Sequence, residues 1–428
     1  MKDEVEALSH NHTWDVVDLP KGKKLIGCRW VYKVKYKASG EVERFKARLV
    51  AKGYNQREGI DFKETFSPVV KMKTVRTVLA TAAKKKWYVH QIDVYNAFLN
   101  GDLSDEIYMD LPQGFASQGE NKVCRLVKSL YGLKQAPRQW NTKLSETLVK
   151  FRFVQSRYDP SLYVKKTSEG VTLVLVYVDD MLVTGDSLKL IEETKTTLSE
   201  TFKMKDLGEL KFFLGIEFAR SDKGILMHQR RYALELLAEL GLGAAKPAGN
   251  PIDYNLKLTS KQFDDHVKHL KPNNDPPTDQ RAYQRLVGKL LYLTMTRPDI
   301  AFSVQNLSQF LQSPKKSHME AAVRVVRYVK NQPGLGVLLS SSSEEKVSAY
   351  CDADWASCPQ TRRSVTGYFM KLGDSIVSWK SKKQTTVSRS SAEAEFKSLA
   401  AVVAELVWIL GLMKEIGSEV ILPVCVFS

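Results

Sequence analysis

Val171-Thr172-Leu173-Val174-Leu175-Val176-Tyr177-Val178-Asp179-Asp180-Met181-Leu182-Val183 sets two apolar runs on either side of a pair of carboxylates. Runs of this length and composition read as strands, Val171 to Val178 and Met181 to Val183, joined at Asp179-Asp180. Adjacent carboxylates at a hairpin tip repel each other and are poor choices for stability alone. A divalent cation removes that repulsion, and magnesium prefers hard oxygen ligands. The plain alternative is an ordinary turn, where Asp is common. A further carboxylate, Asp93, ends the strand-like Tyr88-Val89-His90-Gln91-Ile92. One acid at a strand's end and a pair on a neighbouring hairpin can converge on two metals and clamp the attacking and leaving oxygens of a phosphoryl transfer. Spacing alone leaves open whether Asp93 and Asp179 meet.

The same mixed pattern extends to both sides. Upstream, Trp87 to Val94 reads as a strand leading into Asn96-Ala97-Phe98-Leu99. Thr74 to Lys85 has helical spacing and ends in lysines, which suit a helix C-terminus. Val123 to Lys128 is a short strand, followed by a turn at Gly132 and a helix from about Pro137 to Lys150, with proline in its favoured first turn. Leu25 to Lys37 and Glu43 to Lys52 alternate around Ala38-Ser39-Gly40 as a basic β-hairpin. Downstream come a helix (Leu188 to Phe202), strands around Phe212 to Phe218 and Gly224 to His228, and a helix (Arg230 to Leu242). Lys246 to Thr278, rich in Pro, Asn, Asp and Lys, reads as a linker. Three helices follow, over Gln280 to Thr296, Asp299 to Leu311 and Ser317 to Asn331. Strands at Val347 to Cys351, Ser364 to Leu372 and Ser375 to Lys380 precede a long helix, Ser391 to Ile416, and a last strand, Ile421 to Phe427. The order is α+β, twice.

The net charge of +16 is uneven: Lys21 to Lys52 holds eleven basic residues against two acidic, more than half the excess. A stripe of this kind holds a polyanion and makes binding salt-sensitive. Tyr32, Tyr36, Phe45 and Tyr54 interleave with it, which favours nucleic acid over a merely solvated face. A hydrophobic content of 43% is enough to bury real cores and excludes wholesale disorder. The longest uninterrupted apolar runs are Leu173 to Val178 and Leu399 to Ala404, far short of the roughly 20 residues of a membrane span, so no membrane is expected. Met1 to Leu19 has no apolar signal-peptide core. Five scattered cysteines without a CxxC argue against a disulfide scaffold and a zinc ribbon. Asp264, Asp265, His266 and His269 have metal-ligand chemistry, but a solvated loop in the linker explains them.

Six segments occur in a fixed order: Arg29-Trp30-Val31-Tyr32-Lys33, Phe45 through Gly53 (FKARLVAKG), Thr65-Phe66-Ser67-Pro68-Val69, Asp93 through Phe98-Leu99-Asn100-Gly101, Leu130 through Arg138 (LYGLKQAPR), and Tyr177-Val178-Asp179-Asp180. Together they resemble the reverse transcriptase of the copia-type LTR retrotransposon Pol polyprotein. The resemblance implies an α+β right-hand polymerase of fingers, palm and thumb over residues 12–255. It implies an RNA-directed DNA polymerase, a nucleotidyltransferase that copies RNA or DNA template from a primer. Asp93, Asp179 and Asp180 would be the palm carboxylates, with Asp93 and Asp179 holding two Mg2+ ions (or Mn2+) and Asp180 less direct. Phe98 stands where the family places a bulky ring that refuses a ribose 2′-hydroxyl; a core phenylalanine is its plain reading. Lys46 and Arg48 would face the incoming triphosphate. Lys134, Gln135 and Arg138 would support nucleotide and template, whereas Leu111-Pro112-Gln113-Gly114-Phe115 is expected to be a structural loop. The implied partners are RNA template, DNA primer, RNA–DNA hybrid, dNTPs and other retroelement Pol or Gag products. The implied location is a cytoplasmic retroelement particle with nuclear entry, although the sequence carries no targeting signal.

Residues 256–345 are expected to be a helical connection, with Asp299 capping a helix. Residues 346–428 resemble the RNase H of the same elements, an α/β domain expected to be truncated at the C-terminus. Asp352 and Glu395 would be its first two acidic ligands, with Glu393 the alternative to Glu395. With only these acids, the chain is expected to lack RNase H activity. A second functional reading is a catalytically inactive fragment that only binds nucleic acid.

Overall fold

The computed structural model describes residues 2–36, 41–115, 122–253, 255, 257–267, 275–342 and 346–428. The chain divides into two units, one of Met1–Lys71 with Val89–Glu209 and the other of Met72–Tyr88 with Leu210–Ser428. This division cuts across the boundaries expected from the sequence.

The first unit is built on a six-stranded sheet. Its order is Met204–Glu209, Tyr88–Val94, Asp180–Gly185, Gly170–Tyr177, Leu162–Thr167 and Val154–Gln155. The apolar hairpin lies at its centre, paired from Thr172 with Gly185 to Tyr177 with Asp180. Leu173, Val174, Leu175 and Val176 are all buried, so both faces of this strand are covered. That is why the run is continuously apolar rather than alternating. On one face, helices Ala136–Lys150 and Leu188–Thr201 supply Trp140, Leu144, Ile191 and Leu198 to a core with Ile92, Val94 and Val183. Each such side chain contributes about 1.5–3 kcal/mol by leaving water.

A second sheet, ordered Trp14–Asp18, Lys122–Lys128, Asp102–Asp110 and Leu25–Ile26, shares a core with Leu49, Leu99, Leu130 and Leu8 of the helix Lys2–His10. The expected basic hairpin is Cys28–Tyr36 paired with Val42–Ala51. Its turn, Ala38-Ser39-Gly40, lies outside the described residues. Lys33 pairs across it with Lys46, and Lys35 with Arg44. Like charges placed opposite each other weaken a ladder. The Leu111–Phe115 loop packs as a structural element: Gln113 O accepts from Trp30 Nε1 at 3.1 Å, and Phe115 meets Trp14 edge-on.

In the second unit, helix Met72–Lys84 is buried at every position from Thr74 to Ala83. Arg76 is sealed in with it, donating to the carbonyls of Val377 and Met295 at 2.8 and 2.9 Å and stacking on Trp379. This environment explains why a helix early in the sequence groups with late elements. Helices Arg230–Glu239, Gln280–Leu293, Ala301–Leu307 and Lys316–Val329 share one core, so the expected boundary at 255/256 falls inside a single packed body.

Part of the expected linker is structured too. Lys261–Val267 is helical, and Asp264 and Asp275 both pair with the buried Lys315. Asp264 is therefore an ion-pair partner and not a solvated loop residue, while His269 lies outside the described residues. Asp299 does not cap a helix. It binds the buried Arg297 guanidinium through Nε at 2.9 Å and Nη2 at 2.7 Å.

The last sheet has the order Ser375–Lys383, Val365–Leu372, Lys346–Asp354, Ile421–Phe427. The first three strands are antiparallel and the fourth is parallel to Lys346–Asp354. Helix Ser391–Glu415 makes the crossover and buries Ala394, Val402, Leu406 and Ile409. By length and composition this helix could cross a membrane, contrary to the sequence expectation that no segment could. Counting uninterrupted apolar runs missed it because Glu405 divides the stretch.

Candidate active site

Two neighbouring strands bring the three aspartates together. Asp93 lies near the end of Tyr88–Val94, beside the strand that begins at Asp180. The hairpin tip turns on two residues, Val178 and Asp179, with Val178 at φ 57°. A β-branched residue in the left-handed region is strained, and a turn of this kind normally has glycine there. The tip is held from two sides: Trp140 Nε1 donates to Val178 O at 2.7 Å, and Val94 N donates to Asp179 O at 2.9 Å.

Asp93 and Asp180 feel the charge of their neighbours. Burial and then the Asp179 charge raise the Asp93 carboxyl, against the opposing pull of Lys46, Lys205 and Arg48. Burial, Asp179 and Asp93 push Asp180 up to about 6, while a hydrogen bond from Gln91 opposes the rise. Gln91 and Asp93 are two apart on one strand and share a face. Among the described residues, no group of three or more His, Cys, Asp or Glu side chains stands in metal-holding geometry. The donor chemistry nevertheless fits magnesium: hard oxygens that destabilise one another, in a site type where one or two carboxylates act together with substrate phosphates.

Lys46 and Arg48 lie one pleat apart on Val42–Ala51 and act electrostatically on Asp93. Burial and the neighbouring Arg48, Arg44 and Lys35 depress the Lys46 ammonium. Arg48 Nε is buried without a hydrogen-bond partner, and its guanidinium lies 4.1 Å from the centre of the Tyr131 ring. Phe98 is half-buried between the two cores, its ring 4.8 Å from that of Tyr131.

The Leu130–Arg138 segment is clamped in place. Gly132 has φ +94°, and a Cβ there would stand 2.1 Å from Ala51 O, so only glycine fits. Lys134 donates through N and Nζ to Gln56, at 2.9 and 2.8 Å. Gln135 is buried, accepts from Gln56 Nε2 at 3.0 Å, and donates to Asp61 O and Asp105 Oδ2. Its amide is thus taken up in bracing the loop, whereas the sequence suggested nucleotide contact. Arg138 is part-exposed and pairs with Glu64 at 2.6 Å.

Sequence reasoning passed over Tyr131, Gln91, Trp140 and Glu4. Tyr131 lies inside the Leu130–Arg138 motif, and period-two spacing from Asp93 could have picked out Gln91. Glu4 is buried beside Arg48, Lys46 and Asn96, with its carboxyl raised mainly by burial. Its helix precedes the first matched motif, so no signal marked it.

In the second unit, Ala353 N donates to Glu395 Oε1 at 3.2 Å and Ser398 Oγ to Asp352 O at 2.9 Å. Glu395 therefore adjoins the Asp352 strand. Glu393 instead caps Arg389 N and pairs with Lys397.

The family described as reverse transcriptase (RNA-dependent DNA polymerase) matches residues 11–254. The chain belongs to this family. It is 43% identical over its full length to the retrovirus-related Pol polyprotein from transposon RE1 of Arabidopsis thaliana. It is 40% identical, over 97% of its length, to that from transposon TNT 1-94 of Nicotiana tabacum. It spans 28% and 31% of those two polyproteins. An uncharacterized mitochondrial protein of Arabidopsis thaliana is 40% identical over 55% of the chain and 93% of its own length. The reverse transcriptase region is thus that of a retrotransposon Pol polyprotein, as the ordered motifs implied.

Proposed function

We propose that the chain is an active RNA-directed DNA polymerase that extends a DNA primer on an RNA or DNA template, with Asp93 and Asp179 as catalytic carboxylates. The observation that carries this reading is the juxtaposition of Asp93, on strand Tyr88–Val94, with the Asp179-Asp180 pair on the strained hairpin beside it, within electrostatic reach of Lys46 and Arg48. In this reading the six-stranded sheet is the palm, the hairpin Cys28–Tyr36/Val42–Ala51 the fingers, and the helical bundle from Arg230 to Val329 the thumb.

Asp93 and Asp179 would hold Mg2+ (Mn2+ in its place), which when bound neutralises charge on the attacking and leaving oxygens. Asp180 supports the pair from the neighbouring strand. Arg48, with its unpartnered buried Nε, and Lys46 bind the triphosphate. Phe98 limits the space beside the sugar and so favours dNTPs. Lys134 and Arg138 support the template side, and Gln135 braces their loop. The opposed pairs Lys33–Lys46 and Lys35–Arg44 are relieved by a nucleic-acid backbone, which supports binding of template–primer and RNA–DNA hybrid.

The 346–428 sheet and its crossover helix support an RNase H-like reading with Asp352 and Glu395 as the acidic pair. No hydrolysis is assigned to that pair. A particle with other Pol or Gag products is the setting such an activity implies.

The test is Asp179→Ala. Synthesis should be lost while template–primer affinity stays within about twofold, since a neutral tip changes no backbone-binding cation. Retained synthesis would sink the assignment.

A further inference from the structure

Tyr131 belongs to no catalytic role assigned above, yet it touches two residues that have one. Its ring lies 4.8 Å from that of Phe98, tilted at 56°, and the Arg48 guanidinium lies 4.1 Å from its centre. The ring's own placement is over-determined. Its carbonyl accepts from Ala51 N at 2.7 Å, and the next residue is a glycine pressed against Ala51 O at a distance no side chain tolerates. Tyr131 is thus anchored to the strand that carries Arg48, while its ring meets the side chain that would face the sugar. Arg48, Asp179, Glu4 and Asp93 all act electrostatically on its hydroxyl. Burial is the larger influence and pushes it up to about 12, so it stays neutral at working pH.

A phenylalanine can exclude a 2′-hydroxyl only while its ring cannot swing aside. Phe98 lies within a short turn, Ala97–Asn100, entered through Asn96 in the left-handed region, and it is only half-buried. The neighbouring ring is what removes its freedom. We propose that Tyr131 is a specificity-determining positioning residue: it holds Phe98 and Arg48 in one stack, so that the sugar is checked in register with the triphosphate. This rests on the polymerase reading above and deepens it.

The experiment compares dNTP with the matching rNTP, using wild type, Tyr131→Phe, Tyr131→Leu, Phe98→Ala and Tyr131→Leu/Phe98→Ala. Two readouts are taken: kcat/KM on an ordinary primer, and binding of each nucleotide to a complex whose primer is chain-terminated. Tyr131→Leu should lower the dNTP:rNTP preference by about tenfold, the worth of one aromatic pair. Tyr131→Phe, which keeps the ring, should stay within about twofold of wild type. In the Phe98→Ala background Tyr131→Leu should change the preference no further, because the ring it steadies is gone. A merely structural role would lower both nucleotides alike and leave the ratio unchanged, which would overturn the inference; so would an equal further loss in the Phe98→Ala background. If Tyr131→Leu fails to fold, a Tyr131→Phe variant that loses the preference would also overturn it, since the phenol and not the stack would then do the selecting. Wild type that binds dNTP selectively but does not extend would sink the polymerase reading and leave the binding ratios to decide this one.

Discussion

Val178 is the residue on which the site turns. It holds a left-handed conformation that its branched side chain disfavours, and the Trp140 indole holds its carbonyl. Strain of this sort persists only where surrounding contacts over-determine it. Removing the indole N–H by Trp140→Phe keeps an aromatic ring in the core but leaves the tip held from one side only, by Val94 N. We expect single-turnover incorporation to fall about tenfold, the equivalent of one hydrogen bond of roughly 1.4 kcal/mol. Template–primer affinity should not change. An unchanged rate would mean that the carbonyl contact does not position Asp179. Asp93, Asp179 and Asp180 could be singled out as candidates in the sequence because they fall within the ordered motifs, although an ordinary turn is the plain alternative for the adjacent pair. Their meeting was not legible there, because it depends on which strands become neighbours. Gln135 shows the opposite case, a motif residue whose polar atoms go to bracing its own loop.

At the scale of elements, long periodic segments were readable and environment-dependent ones were not. The central hairpin lies where its apolar runs put it, and the basic hairpin and helix Ala136–Lys150 where alternation and helical spacing put them. Asp102–Asp110 escaped notice because its charged residues hide the alternation, and Lys261–Val267 because its helix is secured by Lys315 from another segment. The bundle offers a test of such tertiary control. His318 is fully buried, stacked on Phe310 at 3.9 Å and accompanied by Lys315, and burial with that neighbouring charge lowers its pKa to about 4. Asp264, Asp275 and the Thr259 carbonyl oppose the shift without reversing it. The unfolded chain binds the proton more readily, so stability is complete above pH 6.5 and is lost as pH falls toward 4. Across that window the loss should approach roughly 3 kcal/mol. Hydrogen exchange of the Lys316–Val329 amides would record it, and a His318→Phe variant should remove most of the slope. Equal slopes in the two proteins would contradict the account.

At the scale of the whole molecule, charge is the property that matters most. The excess of +16 is concentrated in the Lys21 to Lys52 stretch, and in the hairpin it is arranged so that cations oppose cations. A fold does not keep such pairs for stability. Template–primer binding should therefore weaken steeply with salt. Replacing Lys33 and Lys35 together by Gln should reduce the magnitude of the log–log salt slope by roughly two, with little dependence on template sequence. A slope that does not move would place the nucleic acid elsewhere. Composition pointed to a polyanion as the expected partner, but the linear order misled on how the chain divides. Helix Met72–Lys84 joins the second unit because Arg76 finds its carbonyl and aromatic partners there, a fact no local pattern records. The most direct test of the central claim is primer extension on an RNA template by the wild-type protein and Asp93→Asn, with magnesium and dNTPs. Extension by wild type and none by the variant is the expected result. No extension by folded wild-type protein that binds template–primer would contradict it and leave a chain that only holds nucleic acid.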